Sequence, residues 1–133
     1  MFAQGRNSVS VDILIVEDEP SILDSLDFIL SRAGWVIGSV TDGEAAISAV
    51  AEMAPKVVVL DVMLPKKSGF EVLKHLRAQP GTKNLPVLML TAKGQQQDRR
   101  IAEELGANNF VTKPYSNSEV VDAVRQLMEQ AEA

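Results

Sequence analysis

Five residues of this chain carry groups suited to holding and transferring an anion: Glu17, Asp18, Asp61, Thr91 and Lys113. Each follows a short apolar run. Ile13-Leu14-Ile15-Val16 precedes Glu17-Asp18, Val57-Val58-Val59-Leu60 precedes Asp61, Val87-Leu88-Met89-Leu90 precedes Thr91, and Phe110-Val111 leads to Thr112-Lys113-Pro114. The first three runs predict strands buried on both faces, as in a parallel sheet, and the last a short strand; open α/β sheets bind ligands at their strand ends. Two like charges ~4 Å apart repel by about 4 kcal/mol at an effective dielectric near 20. If Glu17, Asp18 and Asp61 converge, a hard divalent cation is the natural counter-charge. Mg²⁺ fits, because it takes one or two carboxylates together with waters and phosphate oxygens. The Lys113 ammonium and Thr91 hydroxyl then complete a set matched to a transferring phosphoryl group. Asp61 would be its nucleophile, forming an aspartyl phosphate; as an ionised carboxylate it needs no general base.

The elements that must position these groups alternate along the chain. A strand over 12–16 leads through Glu17-Asp18-Glu19 to Pro20, which suits a first helical turn, and a helix follows to about residue 33, where Gly34 stops it. A less apolar strand over 35–40 belongs near an edge. Thr41-Asp42-Gly43-Glu44 reads as a capping box opening a helix over 43–53. The central strand ends in a Pro65/Gly69 loop, and a third helix covers 69–78. The fourth strand is followed by a polar helix over 95–105, with only Ile101, Ala102 and Leu105 apolar. Phe110-Val111 forms the fifth strand. Ser116-x-x-Glu119 is another capping box, and the last helix buries Val120, Val121, Val124, Leu127 and Met128. Five strand–helix repeats predict an α/β fold, a doubly wound parallel sheet covered on both faces. Periodicity does not fix the strand order. A switch point between strands one and three would bring the acids together.

Composition narrows the function classes. At 133 residues the chain is one domain with room for a core. It has no cysteine, which excludes disulfides, thiolate metal sites and a cysteine nucleophile. Net charge is −5, with Lys and Arg scattered, which argues against a nucleic-acid surface. No apolar run reaches a membrane span, and the first residues lack the apolar core of a signal peptide, so a cytoplasmic protein is expected. Residues 1–10 read as a mobile tail, and 11–131 as the folded domain.

The stretches ILIVEDEP, VVVLDVMLPKKSGFEVL, PVLMLTA and GANNFVTKP together resemble the response-regulator receiver domains of two-component signalling, over residues 11–130. Five positions agree in identity and spacing. The resemblance implies a flavodoxin-like, CheY-like sheet in the order 2-1-3-4-5. It implies that Asp61 takes a phosphoryl group from a histidine kinase or histidine phosphotransfer protein. Asp18, Asp61 and the Met63 backbone carbonyl would bind Mg²⁺, with Glu17 acting through water and Lys113 pairing with phosphoryl oxygens. Thr91 and Phe110 would be the switch pair, altering the face of the fourth helix, fifth strand and fifth helix for a downstream protein. A cis Lys113-Pro114 bond is implied as well. The chain would catalyse its own phosphorylation and dephosphorylation, with no external substrate turned over, as a monomer or a phosphorylation-dependent dimer. Met63 and Lys93 stand where the family tunes hydrolysis of the phosphoryl group, and Met63, which cannot orient a water, points to a long-lived one. Phe110 replaces a frequent Tyr. Asn108-Asn109 replaces frequent acids, which puts a dimer built on that acidic pair in doubt. The chain ends just after the fifth helix, so a stand-alone receiver or a fragment of a longer regulator is expected.

Rival functions fare worse. A nucleotide- or flavin-binding protein wants a first loop rich in glycine and backbone donors, whereas Glu17-Asp18-Glu19-Pro20 repels a bare phosphate. A phosphohydrolase wants an acid two residues after the nucleophile, where Met63 stands. A degenerate receiver that only docks proteins remains the alternative. His75, the one histidine, reads as a solvated helix residue beside Lys74 and Arg77, and Lys66-Lys67 reads as solvated.

Overall fold

A computed structural model describes residues 10–92 and 96–132. The expected tail, apart from Ser10, lies outside the described residues, as do Lys93 and Gln95. In chain order the elements are β1 (Ile13–Val16), α1 (Pro20–Arg32), β2 (Ile37–Val40), α2 (Gly43–Met53), β3 (Val57–Asp61), α3 (Gly69–Ala78), β4 (Val87–Thr91), α4 (Gln96–Leu105), β5 (Asn109–Thr112) and α5 (Asn117–Glu132).

The strands form one parallel sheet in the order β2-β1-β3-β4-β5. β1, β3 and β4 are buried at every residue, whereas the edge strands β2 and β5 are mostly half-buried. That contrast follows from the sequence: a strand covered on both faces must be apolar throughout, and an edge strand need not be. Side chains alternate across the pleat. Ile13, Ile15, Val57, Val59, Leu88 and Leu90 meet α1 and α5 on one face. Leu14, Val16, Val58, Leu60, Val87 and Met89 meet α2, α3 and α4 on the other. β1 lies between β2 and β3, so the chain reverses direction across the sheet there. The carboxyl ends of β1 and β3 flank that switch point.

Several boundaries correct the sequence reading. β2 begins at Ile37, two residues later than expected. Val36 is spent on Asp12, its N–H donating to the Asp12 carboxylate at 2.8 Å and its carbonyl accepting from the Asp12 N–H. α2 spans the expected residues, and with Gly43 as its first residue the cap falls on Asp42, whose carboxylate accepts from Ala45 N–H at 2.8 Å, so that no capping box forms on Thr41. α3 carries a box the sequence reading passed over, Ser68 with Glu71. Ser116 and Glu119 form the expected one. β5 extends beyond Phe110-Val111 by a residue at each end.

Candidate phosphoryl-transfer site

Asp61 ends β3 with 3% of its surface exposed, and Glu17 follows β1 fully buried. Register explains their meeting. Val16 at the end of β1 pairs with Leu60, one residue before Asp61. With exposed Asp18, the three carboxylates each place an oxygen within 4.8 Å of the others. Lys113 enters from the end of β5 and donates to Asp61 Oδ2 at 3.1 Å, lying 3.7 Å from Glu17 Oε1. Met63 N–H faces Asp61 Oδ1 at 3.4 Å. Thr91 is buried at the end of β4, its Oγ1 3.3 Å from Thr112 Oγ1. Phe110 is half-buried on β5, with the Arg99 guanidinium over its ring at 5.0 Å. Glu17, Asp18, Asp61, Thr91 and Lys113 are thus gathered at one end of the sheet, while the Phe110 ring lies on the α4 side.

The electrostatics point outward from Glu17. Its pKa is raised from 4.5 to about 7, chiefly by burial, with the neighbouring Asp61 charge adding and the Glu19 N–H, 3.1 Å from Oε2, opposing. Among the described residues, Glu17 Oε1 is a buried side-chain oxygen with no hydrogen-bond partner. A buried acceptor left unpaired costs free energy, and a divalent cation with its waters would satisfy it. The donor set is all oxygen and anionic, which suits Mg²⁺. These residues therefore fit the ion the sequence implies.

Two groups beside the site escaped the sequence reading. Tyr115 packs next to the cis Lys113-Pro114 bond, and its hydroxyl is pushed up to about 12 by burial first and by the Glu17 and Asp61 charges second. It helps line a cleft of about 560 Å³ with Ser21, Ile22, Ser25, Lys113 and Pro114. The only available signal was an aromatic directly after a strand-end Lys-Pro. Gly69, expected to close the loop after Asp61 and open the third helix, does both, and Ser68 before it caps that helix. His75 is exposed on α3, as expected. Lys66 is exposed too, but it pairs with Asp42 at 3.8 Å. Among the described residues no helix is long and apolar enough to cross a membrane.

Comparison with known proteins agrees with this geometry. A family model for the response regulator receiver domain matches residues 13–125. The chain is 45% identical over 119 residues to the probable transcriptional regulatory protein TcrX of Mycobacterium tuberculosis, covering 89% of this chain and 50% of that one. It is 42% identical over 120 residues to the alkaline phosphatase synthesis transcriptional regulatory protein PhoP of Bacillus subtilis, covering 90% and 49%. The chain spans about half the length of these curated relatives. Among solved structures, the signal receiver domain of a signal transduction histidine kinase from Syntrophus aciditrophicus superposes with a TM-score of 0.84 at 30% identity, covering 91% of this chain and 92% of that one. The chemotaxis protein CheY4 of Vibrio cholerae gives 0.82 at 26%, covering 90% and 99%. With the 2-1-3-4-5 parallel sheet and an acidic cluster at its switch point, the chain belongs to the response regulator receiver domain family.

Proposed function

We propose that this receiver domain is a phosphoacceptor whose Asp61 takes a phosphoryl group from the phosphohistidine of a histidine kinase or histidine phosphotransfer protein. The observation that carries the reading is the convergence of Glu17, Asp18 and Asp61 with Lys113 donating to Asp61 Oδ2. Asp61 is the nucleophile: an oxygen of its carboxylate forms the new P–O bond as the P–N bond to the donor imidazole breaks, and the imidazole keeps that electron pair. Asp18 and Asp61 would hold Mg²⁺ with the Met63 carbonyl, and Glu17 would reach it through water. When bound, the ion neutralises charge on the phosphoryl oxygens. Lys113 supplies a fixed positive charge to the same oxygens, which requires it to leave Asp61 Oδ2. Met63 N–H, already turned to Asp61 Oδ1, is placed to meet one of them.

Thr91 and Phe110 couple the site to the face of α4, β5 and α5. A phosphoryl group on Asp61 offers Thr91 Oγ1 a stronger acceptor than Thr112 Oγ1, and its movement makes room behind it for the Phe110 ring. A downstream protein then meets an altered face. The chain acts in the cytoplasm, where such donors work, and turns over no external substrate. A dimer relying on an acidic pair at Asn108-Asn109 is not part of this reading.

Intact mass after incubation with acetyl phosphate and Mg²⁺ tests it. The expected result is a gain of one phosphoryl group, absent in Asp61→Asn and after chelation. If neither acetyl phosphate nor a phosphohistidine donor produces that gain, the phosphoacceptor role is wrong and a docking module takes its place.

A further inference from the structure

The loop from β3 to α3 must bring the Met63 backbone to Asp61, and it is fastened at two points. At its base, Gly69 N–H donates to the Val62 carbonyl at 2.9 Å. A Cβ on Gly69 would collide with the Asp61 carbonyl oxygen. At its tip the fastening comes from a different element, the first turn of α2. Gly43 N–H donates to the Pro65 carbonyl at 3.3 Å, and the Asp42 carboxylate meets the Lys66 ammonium. A Cβ on Gly43 would collide with the Lys67 carbonyl oxygen and come within 2.6 Å of Lys67 Cβ.

The turn under that fastening is strained. Lys66 has a φ of 69°, in the left-handed region that non-glycine residues seldom enter. Lys67 N–H donates to the Pro65 carbonyl at 2.8 Å. A hydrogen bond closing three residues about a positive φ is a γ-turn pattern, rare and costly outside glycine. Such strain persists only where the surroundings over-determine it. Here the Pro65 carbonyl accepts from both Lys67 and Gly43, so the start of α2 supplies part of that constraint.

We propose that Gly43 is a positioning residue of the phosphoryl site: by fixing the turn at residues 65–67, it sets where the Met63 backbone meets Asp61. The inference rests on the phosphoacceptor reading and extends it to a helix that contributes no side chain to the carboxylate cluster. Glycine is required at 43 for the close approach, not for its φ. The N–H of a larger residue could still donate, but its Cβ would push the turn away.

The test is a titration with Mg²⁺ alone, followed in ¹H–¹⁵N spectra of the full chain, for wild type, Gly43→Ala and Asp42→Asn. In wild type the Met63, Lys67 and Gly43 amides should shift together. Gly43→Ala should raise the half-saturating Mg²⁺ concentration about tenfold, the scale seen when a group orienting a metal ligand is lost. The α5 amides of Val124 and Leu127 should stay in place, which a general loosening of the fold would not allow. Asp42→Asn keeps a good N-cap and loses only an ion pair to an exposed lysine at 3.8 Å, so its midpoint should move less than about threefold. A Gly43→Ala midpoint equal to wild type overturns the inference, as does a perturbation spread evenly through α5. If Gly43→Ala does not fold, wild type decides alone: a Gly43 amide that stays still while Met63 moves overturns it. A wild type with no Mg²⁺ response at any amide overturns the phosphoacceptor reading itself, and the positioning role falls with it.

Discussion

α4 and α5 flank the same edge of the sheet and are held in opposite ways. α5 buries Val120, Ala123, Val124, Leu127 and Met128 against the strands, and its start is closed by the Ser116–Glu119 box. α4 buries Ala102 alone, with Leu105 packed only in part. Its remaining fastenings are polar. Arg99 lies over the Phe110 ring, and at its carboxyl end the Arg77 guanidinium donates through Nε and Nη2 to the Gly106 carbonyl. Apolar area gives stability that a small shift does not recover elsewhere, whereas a few polar contacts can be exchanged at small net cost. Elements that switch come from the less stable parts of a fold. For the proposed switch, the contrast favours α4 as the responding element and α5 as the scaffold.

The largest effect expected from this contrast is in α5. Leu127→Ala should lower unfolding free energy by about 2–5 kcal/mol in denaturant titrations, while folded protein retains its Mg²⁺ response. A smaller loss at Leu127 than at any α4 residue would reverse the comparison. Next comes Arg77, which also donates to the Thr82 carbonyl and to Asn108 Oδ1, the oxygen that accepts from Val87 N–H. Arg77→Met should cost about 1–3 kcal/mol and speed hydrogen exchange near Asn108 and the end of α4, leaving α5 protected. Arg99→Ala should cost least, about 0.5–1 kcal/mol, and should shift the Phe110 ring resonances without weakening phosphorylation.

A pH series sharpens the comparison from the site itself. The folded pKa of Glu17 is raised to about 7 from 4.5, so the folded chain holds that proton more tightly than the unfolded one. Its contribution to stability is complete below about pH 4.5 and is lost as pH rises through 7. Metal-free protein should therefore lose stability over that window, Glu17→Gln should flatten the slope, and Mg²⁺ affinity of the wild type should rise as the proton leaves. Thermal melts with and without chelator check each part.

Much of this was legible in the sequence because it rests on short-range pattern. Three buried strands announced themselves as short apolar runs, and the residues ending them had to share one edge once the strands ran parallel. The cap of α2 was misread by one residue because Thr41 and Asp42 are both good caps, and only the helix start distinguishes them. The Arg77 clamp joins residues about thirty positions apart, with no periodicity to reveal it. Asn108, read as an acid lost from the family pattern, turns out to be an acceptor linking Arg77 to β4. The fastening of the Pro65–Lys67 turn by Gly43 depends on a backbone approach between two loops, which residue types alone do not encode.

Deuterium exchange of the full chain, with and without Mg²⁺ and beryllofluoride as a phosphoryl mimic, tests most directly whether a charge change at Asp61 is read out through α4. The account predicts altered exchange across residues 96–105 and around Phe110, unchanged protection at residues 120–128, and no response in Asp61→Asn. Equal changes in α4 and α5, or a response that survives in Asp61→Asn, would contradict it.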